Sequence, residues 1–108
     1  MSIARSLALF LIAGLCEIGG GWMVWQWLRG GRSAVWGLIG AGALVLYGVV
    51  PTLQPAHFGR TYAAYGGFFI VLSLLWGAVL DGNEPDTADL IGAALALFGV
   101  AVLMYWPR

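Results

Sequence analysis

One carboxylate, Glu17, stands inside the apolar stretch "AGLCEIGGGWMVW", and the nearest charges along the chain are Arg5 and Arg29, twelve residues away on either side. An ionisable group at membrane depth is costly, and such groups face a cavity or an internal partner and mark ion or proton pathways. The chemistry open to a lone carboxylate there is narrow. It takes either a proton or a cation as its counter-charge, so the two compete for one site. Two copies sharing a cavity would titrate as one coupled pair. Such competition is sufficient chemistry for antiport. The purely structural alternative is a permanently protonated glutamate that hydrogen-bonds another helix.

The neighbours of Glu17 are small. On a helix, Ala13, Gly14, Gly20 and Gly21 lie at i−4, i−3, i+3 and i+4 from it, which puts them on its face. They leave room beside the carboxylate or let another helix come very close. The run Gly19-Gly20-Gly21 also lets the helix bend, although each glycine costs about 1 kcal/mol relative to alanine in a helix interior. These four small residues, with Trp25 further along, are the expected lining of a cavity around Glu17.

Nothing else in the chain offers competing chemistry. No serine, histidine and aspartate combination lies at membrane depth, so an enzyme is not expected. The single Cys16 excludes an internal disulfide and any multi-cysteine metal site; a soft packing residue is its expected role. No metal or cofactor is expected. His57, between Pro55 and Arg60, reads as an interfacial polar residue. The segment "DGNEPDTAD" lacks the glycine and terminal glutamate spacing of a calcium loop. It reads as a solvated turn, with Pro85 starting the last helical region.

The elements that must position Glu17 follow from composition. Of 108 residues, 61% are hydrophobic and 9% charged, against about 25% charged in an average soluble domain. So few charges cannot cover the surface of a small soluble protein. One domain at most is expected, and it belongs in a lipid bilayer. The five basic residues are all arginine and balance five acids, so no basic face is available for nucleic acid. Arg5 precedes an apolar run, as in a signal peptide. The run continues well past Cys16, and Leu15 is not the small residue that lipidation requires, so an uncleaved first helix is expected.

A bilayer core of about 30 Å needs about 20 apolar residues in a helix. Four segments meet that length, at 6–28, 33–53, 61–80 and 87–106. Glu17 falls about 16 Å into the first at the helical rise. Period-2 alternation is absent, which argues against a membrane barrel. The connections "RGGRS", "QPAHFGR" and "DGNEPDTAD" are short and carry most of the charge. The expected fold is therefore all-α, with four antiparallel membrane helices and both termini on one side. Arg5, Arg60 and Arg108 lie on that side, and Arg29 and Arg32 on the other. Orientation follows arginine bias, and a difference of one charge permits either orientation. A fixed topology set by other features is the alternative.

The aromatic residues agree with these spans. Trp25, Trp27, Trp36, Tyr105 and Trp106 lie near span ends, where interfacial belts form. Trp22 and Trp76 lie deeper and are placed to line a cavity instead. Helices in lipid associate through small residues, and seventeen glycines are present. Gly92, Ala96 and Gly99 form one stripe on the fourth span; Gly37, Ala41 and Gly48 form another on the second. Each stripe serves either packing within the chain or packing between two copies, and for the fourth helix contact between copies is the expectation. Secondary transporters commonly use inverted repeats around a midplane site. No internal repeat is visible, and two oppositely inserted copies would supply the inversion. An antiparallel homodimer is the expected assembly.

The stretches "LCEIGG", "PTLQPAHFGRTYAAYGG" and "DG…D…GAALALFG" resemble the YnfA-like family of small membrane proteins over nearly the whole chain. That family is similar, more loosely, to the small multidrug resistance superfamily of four-helix proton-coupled exporters. The resemblance implies that Glu17 binds proton and cationic substrate in turn. It implies that Tyr62 and Tyr65 contribute to the same site, with Tyr65 standing where the superfamily has a tryptophan. Gly92, Ala96 and Gly99 match the stripe by which fourth helices dimerise. An antiparallel dimer in the inner membrane follows from the same likeness. His57 and Arg60 depart from the multidrug pattern.

The expected function is proton-coupled efflux of small organic or hydrophobic cations. The expected partners are protons, a small cationic substrate, the lipid bilayer and a second copy. The alternatives are a passive small-ion channel and a non-transporting membrane subunit.

Overall fold

The sequence pattern turns into four helices whose ends are fixed by identifiable caps. In the computed structural model, which describes residues 2–108, α1 spans Ile3–Leu28, α2 Ala34–Val49, α3 Phe58–Leu80 and α4 Thr87–Tyr105. A 3₁₀ turn, Val50–Leu53, follows α2 directly. Each of α1, α3 and α4, and α2 together with its 3₁₀ turn, is long and apolar enough to cross a membrane. The chain is an all-α, multi-pass membrane protein.

The helix ends depart from the expected spans by a turn or less, each for a local reason. α1 starts three residues early because the Ser2 hydroxyl accepts the Arg5 N–H at 3.1 Å. α2 stops at Val49 and tightens into the 3₁₀ turn at Pro51, which has no N–H to continue the α ladder. α3 starts at Phe58 because His57 caps it, its Nδ1 accepting the Arg60 N–H at 3.3 Å. His57 is thus a helix cap at the interface. Pro85 lies before the cap of α4 rather than in the helix. Asp86 and Asp89 form a reciprocal capping box there, at 2.8 and 3.0 Å. α4 ends at Tyr105, where Arg108 donates to the carbonyls of Leu103 and Val102. Gly31 and Gly82 turn the chain with φ of 74° and 69°, a region other residues avoid.

The helices form a flattened slab, 49 × 34 × 20 Å. α1 packs on α2 along its length and meets α3 on its other side; α4 packs on α3. The α1–α2 seam is a backbone contact: a Cβ on Gly20 would meet the Gly40 carbonyl at 2.7 Å. Gly37 seats the Trp27 ring. The working stripe on α2 is therefore Gly37 and Gly40, with Leu44 one turn on. Ala41 is exposed, and Gly48 meets nothing within 4 Å. Those two belong to the expected stripe but sit on the open side of the helix.

Side-chain packing concentrates toward the end that holds the termini. The core there is Phe10, Ala13, Val50, Ala64, Tyr65 and Val100, with Phe10 and Phe68 stacked at 4.8 Å. A polar knot closes this end. The Ser6 hydroxyl donates to Gln54 Oε1 at 2.7 Å, and Gln54 Nε2 returns a bond to the Ser6 carbonyl at 2.8 Å. The Tyr105 hydroxyl joins the Ser6 hydroxyl at 3.0 Å. Ser6 and Gln54 are buried, so each bond satisfies a group that lipid could not. Large apolar side chains elsewhere face outward, among them Leu38, Val45, Val79, Leu95 and Phe98, all about 70% exposed or more. In a bilayer that surface is solvated by lipid tails.

Candidate functional site

α1 presents Glu17, Gly21 and Trp25 at four-residue intervals, and α3 presents Phe69, Ser73, Gly77 and Asp81 in the same way. These two rows face each other across a cavity of about 580 Å³, completed by Ile18, Trp22, Leu44 and Trp76. Such repeats at i, i+4 lie along one helical face, so the cavity is a groove running along both helices. One carboxylate lies at each end of it. Glu17 is deep in the spans, and Asp81 caps the C-terminus of α3 at the surface.

The walls are aromatic with few polar atoms. Trp22 contacts Trp76 edge-on and Trp36 at a tilt, each with ring centroids 6.0 Å apart. Among the described residues, four side-chain polar atoms around the groove are buried without a hydrogen-bond partner: Glu17 Oε2, Trp22 Nε1, Trp76 Nε1 and the Tyr65 hydroxyl. Leaving a buried polar group unpaired costs roughly 1–3 kcal/mol. Unpaired polar atoms in a native interior are few, and here they gather around one carboxylate. The Tyr65 hydroxyl lies beside the Glu17 carboxyl. Tyr47, from α2, lies tilted against Tyr65 with ring centroids 4.8 Å apart, and Leu44 of α2 lines the groove. Three helices thus converge on the carboxylate.

Over residues 3–108 the chain matches the model of the family described as "Uncharacterised BCR, YnfA/UPF0060 family". The chain belongs to the YnfA/UPF0060 family. It is 58% identical to a UPF0060 membrane protein of Herpetosiphon aurantiacus, over the whole of both chains. It is 56% identical to a UPF0060 membrane protein of Clostridium beijerinckii, over all of this chain and 99% of that one. With the UPF0060 membrane protein sll0793 of Synechocystis it shares 57% over 98% of each chain. No solved structure matches it.

In this YnfA/UPF0060 chain the small residues around Glu17 divide into two sets. Gly21 and Trp25 line the groove, and a Cβ on Gly21 would meet nothing within 4 Å. Ala13, Gly14 and Gly20 do not line it. Ala13 is buried in the core, Gly14 seats Leu72 of α3, and Gly20 seats the backbone of α2. Those three bring neighbouring helices close, which is the other use that a small residue serves. Gly19 faces Trp76 at 3.3 Å, so the glycine run also admits a cavity wall. Tyr65 approaches Glu17, whereas Tyr62 does not line the groove. Tyr62 lies tilted against Phe58, ring centroids 4.3 Å apart, and lines a separate pocket of about 310 Å³ with Pro51, Thr52 and Thr61. Its one link toward Glu17 runs through Tyr47, 6.2 Å away between ring centroids.

The expected stripe on α4 also divides. Ala96 lies in the α3–α4 seam, where its carbonyl and Val100 close over Gly67. Gly92 and Gly99 stand clear, with nothing within 4 Å of a built Cβ.

Sequence reasoning passed over Ser73, Asp81 and Tyr47. The row Phe69, Ser73, Gly77, Asp81 repeats every four residues, and that spacing was the available signal. Tyr47 carried another, as the one side-chain hydroxyl within α2.

Proposed function

We propose that this protein is a proton-coupled antiporter of small organic or hydrophobic cations, with Glu17 shared in turn by proton and substrate. The observation that carries the reading is a membrane-depth carboxylate with an unpartnered oxygen, set at the inner end of an aromatic groove. A carboxylate supplies the counter-charge for a cation. Tryptophan and phenylalanine faces bind cations by their quadrupole and hold apolar substituents at the same time. The groove volume suits a drug-sized molecule.

Coupling follows from exclusion. The charged carboxylate holds one positive partner, so an arriving cation releases the proton and an arriving proton releases the cation. Tyr65 lies beside the carboxyl group and offers a hydroxyl donor to its charged form. A second copy, inserted antiparallel in the inner membrane, supplies the opposite-facing half of the cycle. The clear Gly92 and Gly99 on α4 offer a surface for that contact, and the weak arginine bias permits the opposite insertion. A looser similarity to the small multidrug resistance superfamily points the same way.

The test is transport in liposomes. An imposed pH gradient drives uphill movement of a lipophilic aromatic cation through wild-type protein and none through Glu17→Gln. Unaltered, proton-independent flux in the variant contradicts the reading. A conductance without uphill exchange identifies a passive channel instead.

A further inference from the structure

The groove has a second carboxylate that antiport at Glu17 does not use. Asp81 lines the same cavity as Glu17 but stands at its outer end, as the C-cap of α3. Its place is electrostatically odd. A helix C-terminus carries roughly half a negative charge, and cations rather than anions are favoured there. Asp81 adds a full negative charge to that end, with its own N–H already committed to the Gly77 carbonyl at 3.0 Å. The carboxylate and the helix end therefore attract a cation together.

The opposite wall of the mouth already engages a cation. Trp25 lines the groove, and the Arg29 guanidinium sits over its ring at 5.0 Å. That guanidinium sits where an incoming cation would, so the cation takes the Trp25 ring by displacing the exposed Arg29 side chain. Between mouth and depth the lining is aromatic, with Trp22 and Trp76 keeping unpartnered N–H groups. The two carboxylates are set apart along the groove. α1 advances about 12 Å between Glu17 and Trp25, and α3 about 12 Å between Ser73 and Asp81, at the helical rise.

We propose that Asp81 and Trp25 form an outer cation-binding position, and that the groove thereby selects elongated dications, one charge at Glu17 and the other at the mouth. This deepens the antiport reading and rests on it. A monovalent cation can occupy either position in turn, so Asp81 also gathers it on its way to Glu17. An elongated dication satisfies both carboxylates at once, and its apolar spacer lies against the tryptophans. A short dication cannot reach both, because the spacer must span about 12 Å.

The experiment is a chemical ruler. Binding to the purified protein in lipid nanodiscs is measured by tryptophan fluorescence for two series of probes. One series is bis(trimethylammonium)alkanes of increasing spacer length, and the other is alkyltrimethylammonium ions of matched length. In wild type, affinity for the dications rises with spacer length and exceeds that of the matched monocations by about tenfold at the longest spacers. Asp81→Asn removes that advantage and weakens the monocations by no more than about threefold. Asp81→Glu retains it, which separates charge from any loss of the α3 cap. Equal affinities for the two series in wild type overturn the proposal. So does an undiminished dication advantage in Asp81→Asn. Glu17→Gln is the control on the underlying reading: it abolishes binding of both series. If both series bind Glu17→Gln as they bind wild type, the antiport reading fails. If Glu17→Gln loses binding while Asp81→Asn behaves as wild type, only the dication proposal fails.

Discussion

The two ends of this bundle are built differently from similar material. At the end holding the termini, Phe10, Val50, Ala64, Tyr65 and Val100 fill the space between helices. Every polar group of Ser6 and Gln54 that forms the knot there has a partner. At the other end the same helices carry tryptophans and glycines, and the space between α1 and α3 is a groove with unpartnered polar atoms. The polar knot at one end is satisfied, and the polar atoms around the groove are not. Apolar burial contributes little to helix association in lipid, so packing and hydrogen bonds decide where a membrane bundle closes. The knot and core hold one end together, and the other end keeps an open groove with unpaired polar groups. The groove runs outward from Glu17 toward Trp25 and Asp81.

Substitutions that exchange the character of the two ends test this contrast. The largest effect is at the open end. Glu17→Gln removes the counter-charge and lowers cation binding by about a hundredfold or more, equivalent to about 3 kcal/mol, while its melting temperature stays at or above the wild-type value. Calorimetric titration and thermal unfolding in the same detergent check both halves.

Next in size is the α1–α2 seam, where adjacent glycines give opposite answers. Gly20→Val drives a side chain into the Gly40 backbone and destabilises by about 1–3 kcal/mol or more, as overpacking does. Gly21→Val has open space around it. It leaves the fold intact but narrows the groove, so its effect appears in ligand binding and not in the melting curve.

At the closed end, Gln54→Leu removes two hydrogen bonds and strands the Ser6 hydroxyl with Tyr105 alone. Loss of about 1–2 kcal/mol of stability is expected, read by unfolding in a denaturing detergent series, with cation affinity changed less than about threefold. The smallest expected effect is Tyr65→Phe. Deleting an unpartnered hydroxyl changes stability by under about 1 kcal/mol, while removing a donor beside Glu17 weakens cation binding several-fold.

The membrane fold was legible because length and apolarity alone define a spanning helix, and all four spans stand within a turn of their expected positions. The refinements came from capping chemistry, which is short-range and easy to pass over. His57 is the example: its ring nitrogen sets where α3 begins. Glu17 was legible because a charge in an apolar span has few explanations. What was not legible was which small residue does what. Gly14, Gly20 and Gly21 look alike in sequence, and only the packing of α2 and α3 around α1 separates two contacts from one lining position. Ser6, Gln54 and Tyr105 illustrate another barrier. They lie 48 and 99 residues apart along the chain, and no local pattern joins them. Asp81 was read as part of a solvated turn, and it is exposed. Its second identity, as the rim of the Glu17 groove, depends on how α3 faces α1.

The central claim is that Glu17 exchanges a proton for a cation. It is tested most directly by proton release. Purified protein in weakly buffered solution is mixed with a lipophilic aromatic cation while a pH indicator is followed, for wild type and Glu17→Gln. The account predicts release from wild type that saturates with ligand. It predicts none from Glu17→Gln. Ligand binding to wild type without proton release, or equal release from the variant, would contradict it.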